Sequence, residues 1–192
     1  MLKKLMLCLA LLIGFAASSY SQDYKNELSV SYGQFTVPQF AYMFGGIFGV
    51  VFTAGHFEFD NTVMTGTLGV EYNHWVNNWF GYGGAVFAEY MTSDTYTKDS
   101  NGVRTNNGTY SLIAASVMPT ARFRWFNKPH FGMYSKIGAG LGLVYGSELE
   151  PTPISAQISP VCMEFGGNSW RGLVELGVGM QGIATVGVKK SF

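Results

Sequence analysis

Charge is scarce in this sequence. Asp, Glu, Lys and Arg make up 12% of its 192 residues, against about a quarter in an ordinary soluble domain. Base is not in excess either. Lys3 and Lys4 fall in an N-terminal leader, and taking them from the 12 basic residues leaves 10 against 12 acidic ones. That balance excludes the broadly basic surface of a nucleic-acid-binding protein. Cysteine is rarer still: Cys8 lies in the leader, which leaves Cys162 alone. An exported chain with one cysteine has no internal disulfide framework, so Cys162 is expected to be a buried, inert thiol. Beyond the leader no stretch looks like a transmembrane helix, which needs roughly 20 apolar residues.

The leader is read from its own pattern. Met1-Leu-Lys3-Lys4 is basic, Leu5 to Ala17 is apolar, and Ser19-Tyr20-Ser21 is a small-x-small cleavage site. This is a secretory signal peptide over 1–21. Cys8 lies within the apolar run instead of after it, which argues against a lipoprotein anchor. The mature chain of 22–192 is then one domain.

What is abundant is apolar, aromatic and glycine-rich sequence with a period of two. Hydrophobic residues reach 47%, aromatics 16%, and there are 25 glycines. Eight alternating ribbons are predicted near 26–35, 62–75, 79–92, 109–126, 131–147, 154–166, 169–180 and 183–192. In the third, Phe80, Tyr82, Val86, Ala88 and Tyr90 share one face, with Gly81, Gly83, Ala85, Phe87 and Glu89 on the other. Side chains of a strand alternate between faces, and ribbons of about ten residues separated by turns are the sign of a transmembrane β-barrel. Aromatics at the ribbon ends, such as Tyr72, Trp75, Trp125, Tyr145 and Trp170, suit two interfacial girdles. The predicted fold is all-β: an eight-stranded antiparallel transmembrane up-and-down barrel.

Charge placement separates this from a soluble β-sandwich. When the apolar face of each ribbon is set outward, Glu27, Glu71, Glu89, Glu164 and Glu175 fall inward, with Arg122, Arg124, Lys136, Arg171 and Lys189. The sixth ribbon is ambiguous, and Glu164 joins the set in the register that sends Val161, Met163 and Phe165 out. A charge on the lipid face costs about 2–4 kcal/mol near the midplane, so inward charge is what a barrel requires. A balanced set in a narrow interior implies a hydrogen-bonded ion-pair plug. Arg122, Arg124, Lys136 and Arg171 are expected to meet Glu71, Glu89, Glu164 and Glu175. A barrel of eight strands is just wide enough for its side chains to fill. That favours a closed interior over a narrow channel.

Turns give the orientation. The connections at 76–78, 127–130 and 166–168 are tight, and those at 36–61, 93–108 and 147–153 are longer; a short one at 180–182 breaks the rule. Short periplasmic turns with longer outer loops are usual, which puts both termini in the periplasm.

The chain closes on Gly182-Ile-Ala-Thr-Val-Gly-Val-Lys-Lys-Ser-Phe192. A terminal aromatic on such a ribbon resembles the C-terminal signal of bacterial outer-membrane barrels, in which an aromatic often also lies two residues before the end, where this chain has Lys190. Across its whole length the chain resembles the small eight-stranded outer-membrane barrels of Gram-negative bacteria, of the OmpX and OmpA-transmembrane kind. Ala156-Gln157 through Pro160 to Gly166-Gly167, with Glu175-Leu-Gly-Val-Gly, is similar to outer-membrane barrels of gut anaerobes. The resemblance implies export through the Sec pathway to the outer membrane, and contact with outer-membrane lipid and lipopolysaccharide. It also implies recognition by the barrel-assembly machinery through the last strand and Phe192. No cofactor or metal is expected.

Two loops remain. Phe40, Phe44, Ile47, Phe48 and Val51 follow the spacing of one helical face, which predicts a short amphipathic helix in the first outer loop. It would cap the interior or offer an apolar contact to lipid or a partner. Thr92 to Gly108 is polar and is predicted to be a surface loop; no residue in it identifies a ligand. The function expected is structural or surface interaction. The alternative is a lipid A hydrolase or acyltransferase, since enzymes of this architecture exist. A base is needed, and among His56, His74 and His130 only His56 falls in an outer loop. His130 is followed by Phe131-Gly132, so the His-x-Ser motif of the deacylases is absent.

Overall fold

A computed structural model describes residues 25–52, 57–99, 103–146 and 155–192, with side chains at all of these except 45–52, 57–59 and 144. The expected signal peptide, 1–21, lies outside the described residues. The elements are β1 (Asn26–Gln34), α1 (Val37–Phe52), β2 (Phe57–Trp75), β3 (Phe80–Lys98), β4 (Arg104–Lys128), β5 (Phe131–Gly146), β6 (Ser155–Gly166), β7 (Trp170–Gly179) and β8 (Ala184–Ser191). The eight strands close into an antiparallel barrel in chain order, with β1 paired to both β2 and β8. Closure leaves no sheet edge along the paired stretches. It brings the termini together: Asn26 and Phe192 exchange backbone hydrogen bonds of 2.9 and 3.2 Å.

Alternation decides the faces. In β1, Glu27, Ser29 and Ser31 are buried while Leu28, Val30 and Tyr32 are exposed. The same inversion runs around the barrel, with Val70, Val86, Val117, Leu141, Ile158, Val178 and Val186 outside. The ambiguous sixth ribbon holds a bulge. Tyr134 pairs with Cys162 but Lys136 pairs with Ser159, so Pro160 and Val161 together oppose Ser135. The extra residue reverses the parity: Ser155, Gln157 and Ser159 point in, and beyond the bulge Cys162 and Glu164 do. Proline lacks the donor a regular ladder needs and is tolerated at such a bulge.

The wall is uneven. β2, β3 and β4 run 19, 19 and 25 residues, whereas β6, β7, β8 and β1 run 12, 10, 8 and 9. This corrects the second loop, because most of 92–108 is strand. Thr92 pairs with Ser111 and Lys98 with Arg104, and Asp99 Oδ1 accepts from the Val103 amide at 2.8 Å. Polar sequence rich in threonine and tyrosine is also good strand sequence. No helix among the described residues is long and apolar enough to cross a membrane, which says nothing of strands.

The interior has two layers. Toward the end away from the termini, Ala85, Phe87, Met91, Leu112, Ala114, Met118 and Met180 form an apolar cluster, with Tyr42, Met64 and Tyr110 packed against it. Toward the termini the filling is ionic. The short 180–182 turn folds inward, burying Met180 and Gln181. Two glycines permit this. Gly182 has φ +105°, and a Cβ on Gly33 would lie 1.8 Å from the Gln181 carbonyl oxygen.

Candidate functional site

The ten charged residues expected inside all point inward, supplied by β1 (Glu27), β2 (Glu71), β3 (Glu89), β4 (Arg122, Arg124), β5 (Lys136), β6 (Glu164), β7 (Arg171, Glu175) and β8 (Lys189). Nine of them form one alternating chain of charge. It starts at Glu175, whose Oε2 lies 2.5 Å from Lys136 Nζ, and Lys136 reaches Glu71 at 3.0 Å. Arg122 joins Glu71 at 2.9 Å to Glu27 at 3.4 Å. Glu27 also takes Arg124 at 3.3 Å and Lys189 at 2.6 Å. Lys189 reaches Glu164 at 2.6 Å, and Glu164 ends the chain on Arg171 at 3.1 Å.

Neutral groups complete it. Lys136 Nζ donates to Gln181 Oε1 at 2.6 Å, so the inward turn contributes directly. The Tyr134 hydroxyl donates to Glu175, and the Arg122 guanidinium lies 4.8 Å from the Tyr134 ring centroid. Arg124 stacks 3.7 Å over the Trp75 ring. Side chains of Arg122, Lys136 and Lys189 are each 1% exposed. Charges this dry are tolerable only when paired and hydrogen-bonded. Glu27, Glu71 and Glu175 each accept at least two hydrogen bonds, and Glu164 accepts one from Arg171 and lies at ion-pair distance from Lys189.

Glu89 is the exception and corrects the expected pairings. No basic side chain meets it among the described residues. Its oxygens lie 2.8 Å from Thr36 Oγ1, 3.1 Å from Gln39 Nε2 and 3.1 Å from Thr67 Oγ1. It sits on β3 one step above Phe87 of the apolar layer, out of reach of the cations below. Its role is to hold the start of α1. The Thr36 carbonyl accepts the first helical bond from Phe40 at 3.0 Å, and Thr36 Oγ1 accepts from the Gln39 amide at 3.2 Å, an N-cap.

The first loop does contain a helix, of 16 residues. Its described inward face is Pro38, Gln39 and Tyr42, not the stripe read from the sequence. Phe40 is half-buried and Phe44 exposed, their rings 6.2 Å apart. Ile47, Phe48 and Val51 have side chains outside the described ones, as His56 is altogether. Tertiary hydrogen bonds to Glu89, invisible in helical periodicity, turn the polar Gln39 inward.

Other expected residues are placed as follows. Phe192 is exposed beside β1. Cys162 is buried, its Sγ 3.5 Å from the Ser159 carbonyl. His74 Nδ1 lies 2.8 Å from Asn26 Oδ1, and His130 Nδ1 lies 3.2 Å from the Gly166 carbonyl; both are near the termini. No cluster of metal-ligating side chains occurs among the described residues. At the far end, Asp94 accepts from Asn61 at 3.0 Å and Thr109 at 2.8 Å. These bonds hold its carboxyl below the usual range. Tyr134 shares the inward parity of Lys136 that alternation assigns to the fifth ribbon, whereas Gln181, Thr36 and Gln39 come from connections whose path periodicity does not give.

No family model matches this sequence, and no curated protein matches it either.

Proposed function

We propose that the chain is an integral outer-membrane β-barrel, similar to the OmpX and OmpA-transmembrane kind, that serves as a closed structural or surface-interaction protein. The observation that carries this is the inversion of polarity: a closed barrel with paired charges inside and Val, Leu, Ile and aromatics outside. In water such an exterior would be a very large exposed apolar surface; in a bilayer it faces its proper solvent. Ionic and apolar layers both occupy the bore, which supports a closed interior over a diffusion pore. α1 lies at the rim as an amphipathic element, with Phe40 and Phe44 turned to the outer leaflet and its lipopolysaccharide. Phe192, exposed at the end of β8 next to β1, serves the barrel-assembly machinery. The upper parts of β2–β4 and α1 are the surface available to a ligand.

Fractionation tests the core of this reading: the mature chain belongs with outer membranes and needs detergent for extraction. Recovery in the soluble or inner-membrane fraction would overturn it. The rival reading, a lipid A-modifying enzyme using His56, is tested by mass spectrometry of lipid A. An acyl pattern that changes with the protein and reverts in His56→Ala would displace the structural role. Steady conductance in planar bilayers would displace the closed interior in favour of a narrow channel.

A further inference from the structure

The two ends of the barrel differ in chemistry. All four tryptophans belong to the end that holds the termini: Trp75 closes β2, Trp79 lies in the β2–β3 turn, Trp125 is near the end of β4, and Trp170 opens β7. Trp75 is spent inside against Arg124, while Trp79 and Trp125 are exposed and Trp170 is half-buried. The same rim exposes Lys25, Lys128 and Lys190. Among the described residues it exposes no Asp or Glu, because Glu27 and Glu164 are buried in the ionic chain. The opposite end mixes signs, with Asp60, Asp94 and Asp99 beside Lys98 and Arg104.

Two of the rim lysines are held against rings. Lys190 Nζ lies 5.6 Å from the Trp170 ring centroid, and Lys128 Nζ lies 6.0 Å from that of Phe126. Both separations fall within cation–π range. Lys190 is the outward residue of β8 between Leu28 of β1 and Trp170 of β7. Its aliphatic stem therefore crosses apolar wall, and its ammonium emerges at the edge. A ring that buries its body in hydrocarbon beside an ammonium at headgroup depth matches a lipid whose phosphate carries unneutralised charge. A zwitterionic headgroup brings its own ammonium and has less need of a lysine.

We propose that the terminus-end rim binds anionic glycerophospholipid headgroups, with Lys190–Trp170 and Lys128–Phe126 as its two clamps. The proposal rests on the membrane reading above. In the orientation expected there, this rim faces the phospholipid leaflet rather than the lipopolysaccharide one.

Native mass spectrometry of the barrel released from vesicles of equal phosphatidylglycerol and phosphatidylcholine tests it. The wild type is expected to retain phosphatidylglycerol in preference. Lys128→Gln/Lys190→Gln should lower that preference by roughly fivefold per lysine, and Arg104→Gln, at the other end, should leave it unchanged. Because both lysines are exposed, the double variant is expected to keep its far-ultraviolet circular dichroism, and Lys128→Gln/Lys190→Arg should keep more of the preference than the double glutamine variant. An equal lipid ratio in wild type, or a preference unaltered in the double variant, overturns the clamps while leaving the membrane reading intact. Failure of the protein to float with vesicles of any composition overturns both.

Discussion

Lys136→Met is the sharpest perturbation of the interior. Lys136 is the cation shared by Glu71 at 3.0 Å and Glu175 at 2.5 Å, and it also donates to Gln181 at 2.6 Å. Methionine keeps most of the volume and removes the charge. Glu71 retains Arg122 at 2.9 Å, but Glu175 loses its ion pair and keeps only the Tyr134 hydroxyl as a hydrogen-bond donor, with the Arg122 charge acting on it without contact. One buried carboxylate is therefore orphaned, not two, and an uncompensated buried charge of this kind costs about 3–5 kcal/mol. Gln181 loses its donor as well, adding about 1–3 kcal/mol if nothing else reaches it. Adding Glu175→Gln to Lys136→Met removes the orphaned charge and should recover roughly half of the loss, a coupling that a double-mutant cycle isolates. The assay is equilibrium unfolding in urea, in lipid vesicles, followed by tryptophan fluorescence. A loss below about 1 kcal/mol for Lys136→Met, or no recovery in the double variant, would refute the ionic chain.

Glu89→Gln should cost little, about 1 kcal/mol at most, because its partners are neutral. Glu89→Leu strands the Thr36 and Gln39 donors and should expose α1 to protease well before the barrel unfolds; equal protection in both variants would reject the anchoring role. Gly33→Val cannot be accommodated 1.8 Å from the Gln181 carbonyl oxygen without expelling the 180–182 turn. It should destabilise by about 1–3 kcal/mol, and an unchanged midpoint in urea would contradict the inward turn. Deleting Phe192 should slow assembly in vivo while leaving refolding of the purified chain near wild type, as measured by membrane-integrated yield and by circular dichroism.

Periodicity carried much of this architecture. A strand has one degree of freedom for its side chains, inside or outside, so apolar alternation locates Val70, Val86 and Leu141 on the exterior and sends Glu71, Arg122 and Lys136 inward without any knowledge of contacts. Eight such ribbons in succession imply sequential antiparallel pairing. The sixth ribbon shows where the rule runs out. One extra residue at Pro160-Val161 flips the parity, and no alternation count locates the flip in advance. β2, β3 and β4 run past the ends that alternation predicts, because polar strand and polar loop share a composition.

Pairing lies on the other side of that line. Which acid meets which base depends on shear, a property of the closed sheet and of no single strand. Closure set Lys136 between Glu71 and Glu175 and left Glu89 above the cations, where Thr36, Gln39 and Thr67 satisfy it instead. It also folded Gln181 into the bore. The sequence by itself determined the barrel's strand number, its inside and outside, and the set of residues that carry charge within it, because these follow from local alternation. Only the tertiary structure decided the order of that charge, the division into ionic and apolar layers, and the face that α1 turns inward, because each depends on groups far apart in the chain and brought together by closure.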